Sequence, residues 1–329
     1  MAAPSHLSHQ DYTVGWICAL STELTAAMAM LDEEHPALLR PPQDNNTYTL
    51  GRIGGHNVVI ACLPAGQTGN NSAATVASQM RYSFISIRFG LMVGIGGGVP
   101  SEEHDIRLGD VVVSNPGKND GGVIQYDSGR TVAEGRFVRS GLLNAPPNVL
   151  LTAVSTLRAR HHLHGHQLAH YLSAEGPHRL KSEYTYQGAE NDVLFKAKYD
   201  HVGGNASCGQ CDKSMLVSRT RRDETAPKIH YGTIASGNQV MRHGKTREQW
   251  RRESDVLCFE MEAAGLMTSF PCLVIRGICD YADSHKNKRW QEYAAATAAA
   301  YAKDLLYVIP GSQVERTQTA AEVASLAGA

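Results

Sequence analysis

Residues 258–283 decide the fold, and they read CFEMEAAGLMTSFPCLVIRGICDYAD. Their first part, 260–267, is rich in helix-forming residues and begins with acidic ones, so it predicts a helix whose dipole favours those acids. Pro271 ends this predicted helix. The following apolar run, 272–275, has the length and β-branched character of a buried strand. Ligands bind at the carboxyl ends of strands in open α/β sheets, so Asp280, just beyond this run, is well placed for chemistry.

The composition is that of a globular protein without a strong charge. The chain has 329 residues, of which 42% are hydrophobic and 19% charged, with a formal net charge of −1. This balance argues against a nucleic-acid or membrane-surface partner. The longest apolar runs are shorter than the roughly 18 residues of a membrane span. Cys18, Cys62 and Cys272 lie inside apolar runs, as expected of reduced thiols in a cytoplasmic protein.

A strand that runs directly into a helix is predicted near the N-terminus. The run 14–19 has the character of a buried strand, and Ser21 can cap a helix over the next residues. A helix N-terminus after a strand is a ready site for a polar ligand. Glu23 lies in that first turn. Apolar strands alternate with helical segments along the rest of the chain, which predicts an α/β fold with a largely parallel or mixed sheet.

A glycine-rich segment follows the predicted strand at 91–94. It reads IGGGVP over 95–100 and includes Gly96 and Gly97, whose lack of side chains lets the backbone approach a ligand closely. A plain turn is the alternative for such a segment. It is not a dinucleotide-binding fingerprint, because the next element is another apolar run, 106–114, and not a helix.

Together these segments resemble the nucleoside phosphorylase/nucleosidase superfamily. The residues EMEAA at 260–264, then a strand, then RGICDYAD at 276–283 match its signature, and IRLGDVVVS at 106–114 resembles the strand after its glycine loop. The pattern is closest to nucleosidases of methylthioadenosine or S-adenosylhomocysteine, and it is also similar to domains of fungal multidomain immune-type receptors. The resemblance implies a three-layer αβα sandwich with a mixed central β-sheet.

The resemblance also implies a domain organisation. A single domain is expected over 11–310, with an insertion at about 176–227 where periodic patterns are weak. Residues 1–10 are expected to be a flexible tail, and 311–329 a tail or linker.

The roles implied by the resemblance are those of a purine nucleosidase. Asp280 is the expected general acid for the departing base, and Glu23 the group that activates water. Glu262 is expected to bind the ribose hydroxyls. The remaining expected substrate-binding residues are Met261, Glu260, Gly96, Gly97, Gln239, Val240, Arg276 and Ile95, with Arg276 positioning the neighbouring carboxylates. No cofactor and no metal are implied, and a homodimer or higher homo-oligomer is expected.

Two departures from the family favour hydrolysis over phosphorolysis. Ile95 stands where many phosphorylases place Ser or Thr to hold phosphate, and Met92 stands where some carry arginine. The alternatives that stay open are a phosphate-dependent purine nucleoside phosphorylase and a nucleoside-sensing module without turnover. Cys279 stands where close relatives often have Ser before the acid.

Three features outside this pattern also carry hypotheses. Cys208 and Cys211 form a C-x-x-C pair, which is either two free thiols or half of a zinc site with His201 or His230. The basic run Arg219, Arg221 and Arg222, with the later Arg242, Lys245 and Arg247, is either a solvated face or a site for the 5′-phosphates of a nucleotide. Tyr126 and Phe137 are possible walls of a base or sugar pocket.

Overall fold

The computed structural model describes residues 7–173, 180–203, 207–222 and 225–327. Over these residues there are twelve strands: β1 Val14–Cys18, β2 Glu33–His35, β3 Tyr48–Ile53, β4 His56–Cys62, β5 Phe89–Gly98, β6 Val111–Ser114, β7 Val123–Gln125, β8 Gly129–Thr131, β9 Phe137–Arg139, β10 Ile229–Ser236, β11 Val256–Glu260 and β12 Cys272–Asp280. The α-helices in the same residues are α1 Ser21–Ala29, α2 Asn70–Ser83, α3 Asn148–His164, α4 Leu168–Tyr171, α5 Gly244–Ser254, α6 Gln291–Val308, α7 Gly311–Val314 and α8 Ala320–Ala327.

The central sheet is mixed, as predicted. Its strand order is β11-β10-β6-β12-β5-β1-β4-β3-β2, and β7 adds to β10. The strands β12, β5, β1 and β4 run parallel, whereas β3 and β2 continue antiparallel from β4. Helices cover both faces, with α1, α3 and α6 on one side and α2 on the other. The predicted α/β fold with a three-layer αβα arrangement is confirmed.

One end of the sheet is rolled up, which the sequence did not predict. Strand β11 pairs with β10 and also, antiparallel, with the last residues of β5. The path β5-β12-β6-β10-β11 therefore returns to β5 and closes a ring of five strands. This closure brings the C-terminal ends of β5, β11 and β12 together.

The segment predicted as a helix over 260–267 is different in the structure. Glu260 is the last residue of β11, and only a single 3₁₀ turn, Ala263–Gly265, follows it. The Glu260 carboxylate accepts the backbone N–H groups of Glu262 and Ala263, both at 3.0 Å, so it holds a tight turn instead of starting a helix. Gly265 lies against α2, where a Cβ would be 2.0 Å from the Asn70 carbonyl oxygen. Tertiary packing therefore overrides the helix propensity of this segment.

Two other predicted boundaries also change. The predicted glycine loop at 95–98 continues strand β5 through Gly98. Helix α1 starts at Ser21, and Leu20 is its N-cap, so Ser21 is not the capping residue.

The ends of the chain are more ordered than expected. Part of the predicted flexible tail, 1–6, lies outside the described residues, but His9–Asp11 form a 3₁₀ turn. The segment after Pro310, expected as a tail or linker, folds back through α7, where Val314 is fully buried. The Thr317 carbonyl accepts Arg88, and Ala320 donates its N–H to the Ile87 carbonyl at 2.7 Å.

The predicted insertion, 176–227, has little regular structure in its described parts. It contains short 3₁₀ turns and one bridge between Phe195 and Leu216. Phe195 is buried, and the Asn191 carbonyl accepts the indole N–H of Trp290 at 3.1 Å, so the segment packs on the domain. Within the described ranges, no helix combines the length and apolar character needed to cross a bilayer.

Candidate active site

A cavity of about 250 Å³ lies where the carboxyl ends of β5, β11 and β12 meet the N-terminus of α1. It brings together ten of the eleven site residues predicted from the sequence: Glu23, Ile95, Gly96, Gly97, Gln239, Val240, Glu260, Met261, Glu262 and Asp280. Arg276 is the exception. Its side chain is only 1% exposed and does not line the cavity. Direct substrate binding by Arg276 stays a prediction that this burial does not favour, whereas its contacts are with the carboxylates that it was expected to position.

Arg276 joins three buried carboxylates. Its guanidinium bonds Glu260, lies 3.4 Å from a Glu262 oxygen and 4.0 Å from a Glu23 oxygen. Burial opposes its charge, but the carboxylates outweigh that effect and raise the pKa of Arg276. Three carboxylates around a single cation leave an excess of negative charge in a site shielded from water. A proton retained by one of the acids relieves this excess.

Glu23 is held by backbone groups from two elements. One carboxylate oxygen accepts the N–H groups of Ala19 at 2.6 Å and Leu20 at 3.0 Å, and the other accepts that of Ile95 at 2.8 Å. Burial raises the pKa of Glu23, although Arg276 and these N–H groups oppose the rise. The side chain is thus fixed between the start of α1 and the end of β5.

Glu262 differs from Glu260 in how much of its carboxylate is free. Glu260 is fully engaged by Arg276 and by the backbone of the turn that follows it. Glu262 accepts a single backbone N–H, from Gly69 at 3.2 Å, besides its longer contact with Arg276. Burial raises the pKa of Glu262 to about 7, although Arg276 opposes the rise. Its open acceptor positions suit a ligand that donates hydroxyl groups.

Asp280 reaches the cavity because of a β-bulge at the end of β12. Ile278 pairs with Gly96 and Asp280 with Gly97, so Cys279 is the extra residue and the strand turns locally. The Cys279 thiol lies 3.2 Å from an Asp280 oxygen, so a supporting group exists where relatives often have Ser. The other Asp280 oxygen accepts the N–H of Ala282 at 2.8 Å.

Glycines in β5 make room for these carboxylates. A Cβ on Gly94 would lie 2.3 Å from a Glu23 oxygen, and one on Gly97 would lie 2.8 Å from an Asp280 oxygen. The glycine-rich sequence is therefore needed for close approach of side chains to a strand, and Gly96 and Gly97 also line the cavity.

Lys286 is the main residue that the sequence did not reveal. Its ammonium lies 2.8 Å from an Asp280 oxygen, and among the described residues it is the only lysine or arginine lining the cavity. Burial opposes its charge, but Asp280 outweighs that effect and raises the pKa of Lys286. Lys286 lies in a loop without periodicity, so no pattern pointed to it. Other unforeseen lining residues are Leu20, Thr68, Met241, Phe259 and Gln291.

The basic run of the insertion does not reach this cavity. Arg219 donates to Asp192 at 2.9 Å, and Arg222 forms a bidentate pair with Asp110 at 2.7 and 2.8 Å. Arg221 lines a separate surface depression near Tyr186. Acidic partners on the domain already engage Arg219 and Arg222, so the structure does not favour a role for these two in binding the 5′-phosphates of a substrate. None of Arg221, Arg242, Lys245 and Arg247 lines the cavity, and their predicted phosphate contact stays a hypothesis.

The aromatic walls predicted from the sequence are absent from the cavity lining. Tyr126 is buried behind it and donates to the Gln239 carbonyl, whereas Phe137 is 42% exposed in β9. Gln239 and Val240 are themselves exposed and form part of the rim. Phe259 supplies an aromatic side chain to the lining instead.

Comparison with known proteins relates the whole domain to one family. Over 304 residues the chain is 51% identical to a nucleotide-binding leucine-rich repeat (NLR)-like protein of Hyaloscypha variabilis, which matches 92% of this chain but only 30% of the relative. It is 25% identical to 5′-methylthioadenosine/S-adenosylhomocysteine nucleosidase of Mycobacterium bovis, over 91% of this chain and 97% of the relative. It is 27% identical to ATP nucleosidase Cap17 of Escherichia coli, over 88% of this chain and 50% of the relative.

The chain thus spans less than a third of the fungal relative and half of Cap17. The fold matches futalosine hydrolase of Helicobacter pylori with a TM-score of 0.57 at 17% identity, covering 91% of this chain and 99% of that one. The model of the phosphorylase superfamily matches residues 13–309. With its mixed sheet and its cluster of carboxylates at the strand ends, this chain belongs to the phosphorylase superfamily.

Proposed function

We propose that this chain hydrolyses the N-glycosidic bond of a purine nucleoside or nucleotide, releasing the free base and the sugar. The observation that carries the proposal is the meeting of Glu23, Glu262 and Asp280 in one cavity, each from a different element. Its relatives include proteins named as nucleosidases of methylthioadenosine, S-adenosylhomocysteine and ATP, which supports the same reaction class.

The chemistry requires an acid on the base and stabilisation of an oxocarbenium-like sugar. Asp280 donates a proton to N7 of the purine, so that the base leaves without negative charge. Glu262 accepts hydrogen bonds from the ribose hydroxyls, and Met261 packs on the sugar. Glu23 takes a proton from the water that attacks the anomeric carbon, so each proton in the reaction has a donor and an acceptor.

The lining supports water as the nucleophile. A phosphate dianion needs several cationic or N–H partners, and within the part of the chain that the structure describes, Lys286 is the only lysine or arginine that lines the cavity. Glu23 instead presents a carboxylate, which repels phosphate and suits water. Hydrolysis is therefore favoured over phosphorolysis.

The pair of Asp280 and Lys286 adds a step. The Lys286 ammonium lies 2.8 Å from an oxygen of the proposed acid. In our proposal, entry of the base separates Lys286 from Asp280, so that the Asp280 carboxyl group can meet N7 of the base. The homo-oligomeric state expected from the resemblance stays a prediction.

Incubation with a panel of substrates tests the function. The panel contains adenosine, methylthioadenosine, AMP, ATP, inosine and uridine, each with and without inorganic phosphate, and free base and sugar are quantified by chromatography. We expect purine release that phosphate does not stimulate. Release that requires phosphate and yields ribose 1-phosphate would establish a phosphorylase, and binding without any release would establish a sensing module.

A further inference from the structure

A second cluster of reactive side chains lies outside the cavity, in the insertion. One ligand atom each from His201, Cys208 and Cys211 lies within 4.8 Å of the other two. None of the three lines the cavity. In a tetrahedral zinc site with Zn–S of about 2.3 Å, the two sulfurs are about 3.8 Å apart. Because the three ligand atoms already lie within 4.8 Å of one another, small side-chain rotations would bring them to this spacing.

His285 supplies a second, independent observation. Its side chain is only 5% exposed, and neither ring nitrogen has a hydrogen-bond partner among the described residues. Its ring centroid lies 5.5 Å from that of His201, and its nitrogens lie outside the group of three ligand atoms, so the ring has to turn toward them to become a fourth ligand. A buried imidazole without partners is unfavourable unless something binds it, and a metal ion is the ligand that histidine shares with two cysteines.

The surroundings resemble the outer shell of a metal site. Asp283 is buried, and one of its oxygens lies 3.6 Å from a ring nitrogen of His285, slightly beyond hydrogen-bond distance, so a small rotation of the ring would form the bond that orients histidine ligands. Phe195 stacks on His285 at 4.0 Å between ring centroids and shields it from water. His201 is joined to the same loop by its backbone N–H, which donates to the Ser284 hydroxyl at 2.9 Å.

We propose that His201, Cys208, Cys211 and His285 bind a structural zinc ion that fastens the insertion to the loop after β12. Two thiolates and two imidazoles form a closed ligand set, which leaves no position for a substrate and so indicates a structural ion. The loop in question carries Lys286, the residue that contacts Asp280. The ion therefore supports the active-site loop from outside the cavity.

A redox pair is the competing explanation for the C-x-x-C sequence. Both cysteines are free thiols in the structure, and a ligand atom of His201 lies within 4.8 Å of both sulfurs. A disulfide does not account for this third ligand atom, whereas a zinc site does.

The test is metal content and spectroscopy on the full chain, purified without an affinity tag and under reducing conditions. We expect about one zinc per chain by plasma mass spectrometry, and cobalt substitution giving a sulfur-to-cobalt charge-transfer band. Cys208→Ser together with Cys211→Ser should abolish both signals, whereas Cys62→Ser, a half-buried cysteine of β4, should keep them. His285→Gln should keep the sulfur band but weaken zinc retention against a chromophoric chelator by at least tenfold.

Three results would overturn the proposal. The first is a wild-type chain that binds neither zinc nor cobalt when reduced. The second is equal zinc in the double serine variant, which would mean an adventitious ion only. The third is a Cys208–Cys211 disulfide in protein alkylated at lysis. All three are independent of nucleosidase activity, so they separate this proposal from the proposed function.

Discussion

Asp280 is the residue on which the proposed chemistry depends most. Replacing it with Asn keeps the shape and the hydrogen bond from Ala282 but removes the transferable proton. We expect kcat for base release to fall by about 10²-fold or more, in a variant that still folds. The matched control is Asp255→Asn at the exposed, left-handed end of α5, a position that Asn tolerates. Full activity of the Asp280 variant would exclude the proposed acid.

Glu262 predicts a pH dependence of stability. Its pKa is 4.5 in the unfolded chain and about 7 in the folded protein, so the folded state binds more protons between these values. Stability from this group is therefore present below about pH 4.5 and is lost as pH rises to about 7, by up to roughly 3 kcal/mol.

Glu262→Gln should remove this dependence. The variant gains stability over the wild type from pH 5 to pH 7, measured by urea unfolding at each pH, whereas exposed Glu33→Gln follows the wild type. A constant difference between Glu262→Gln and wild type across this range would contradict the assigned pKa.

Lys286 is expected to hold Asp280 in place before the substrate binds. Its ammonium lies 2.8 Å from an Asp280 oxygen, so an apolar side chain at this position leaves that oxygen without its partner. We expect Lys286→Met to lower kcat/KM for base release by about tenfold, while Lys286→Arg keeps more of the activity. Full activity of Lys286→Met would show that this contact is not needed.

At the scale of elements, strand β5 is the part that shapes the site. Its glycines allow Glu23, Arg276 and Asp280 to approach the backbone, so a methyl group there should disturb the carboxylates without unfolding the sheet.

Gly94→Ala tests this conclusion. The added Cβ would lie 2.3 Å from a Glu23 oxygen and 2.6 Å from Arg276, which forces a rearrangement worth about 1–3 kcal/mol. We expect at least a tenfold loss of kcat. Gly55→Ala in the β3–β4 turn meets nothing closer than 3.8 Å and serves as the control. Equal effects of the two substitutions would show that β5 has no special need for glycine.

At the scale of the whole molecule, the segment after Pro310 belongs to the folded body. Val314 is fully buried against the face covered by α1 and α6. Val314→Ala should lower the free energy of unfolding by roughly 1–3 kcal/mol, measured by urea denaturation. Val193→Ala, at a 37% exposed valine, should change it little. An unchanged free energy of unfolding in Val314→Ala would indicate that this segment is a linker that does not pack on the domain.

The sequence by itself determined the fold class and ten of the residues that line the cavity. Local composition predicts the apolar strands that alternate with helices. The resemblance to a known family predicts the carboxylates beside them, Glu23, Glu262 and Asp280. These features can be predicted because a buried strand is a run of apolar residues and its end is marked by the first polar or charged residues after that run.

Only the tertiary structure decided the roles of residues whose partners are distant in sequence. At 260–267 the contacts of Glu260 and Gly265 override the helix propensity of the segment. Arg276 lies beneath the cavity. Arg219 and Arg222 are paired with acidic residues of the domain. Lys286 entered the site from a loop without a pattern. The physical reason is that charge pairing and close packing depend on which side chains are in contact in the folded protein. A single sequence does not show which distant residues come into contact.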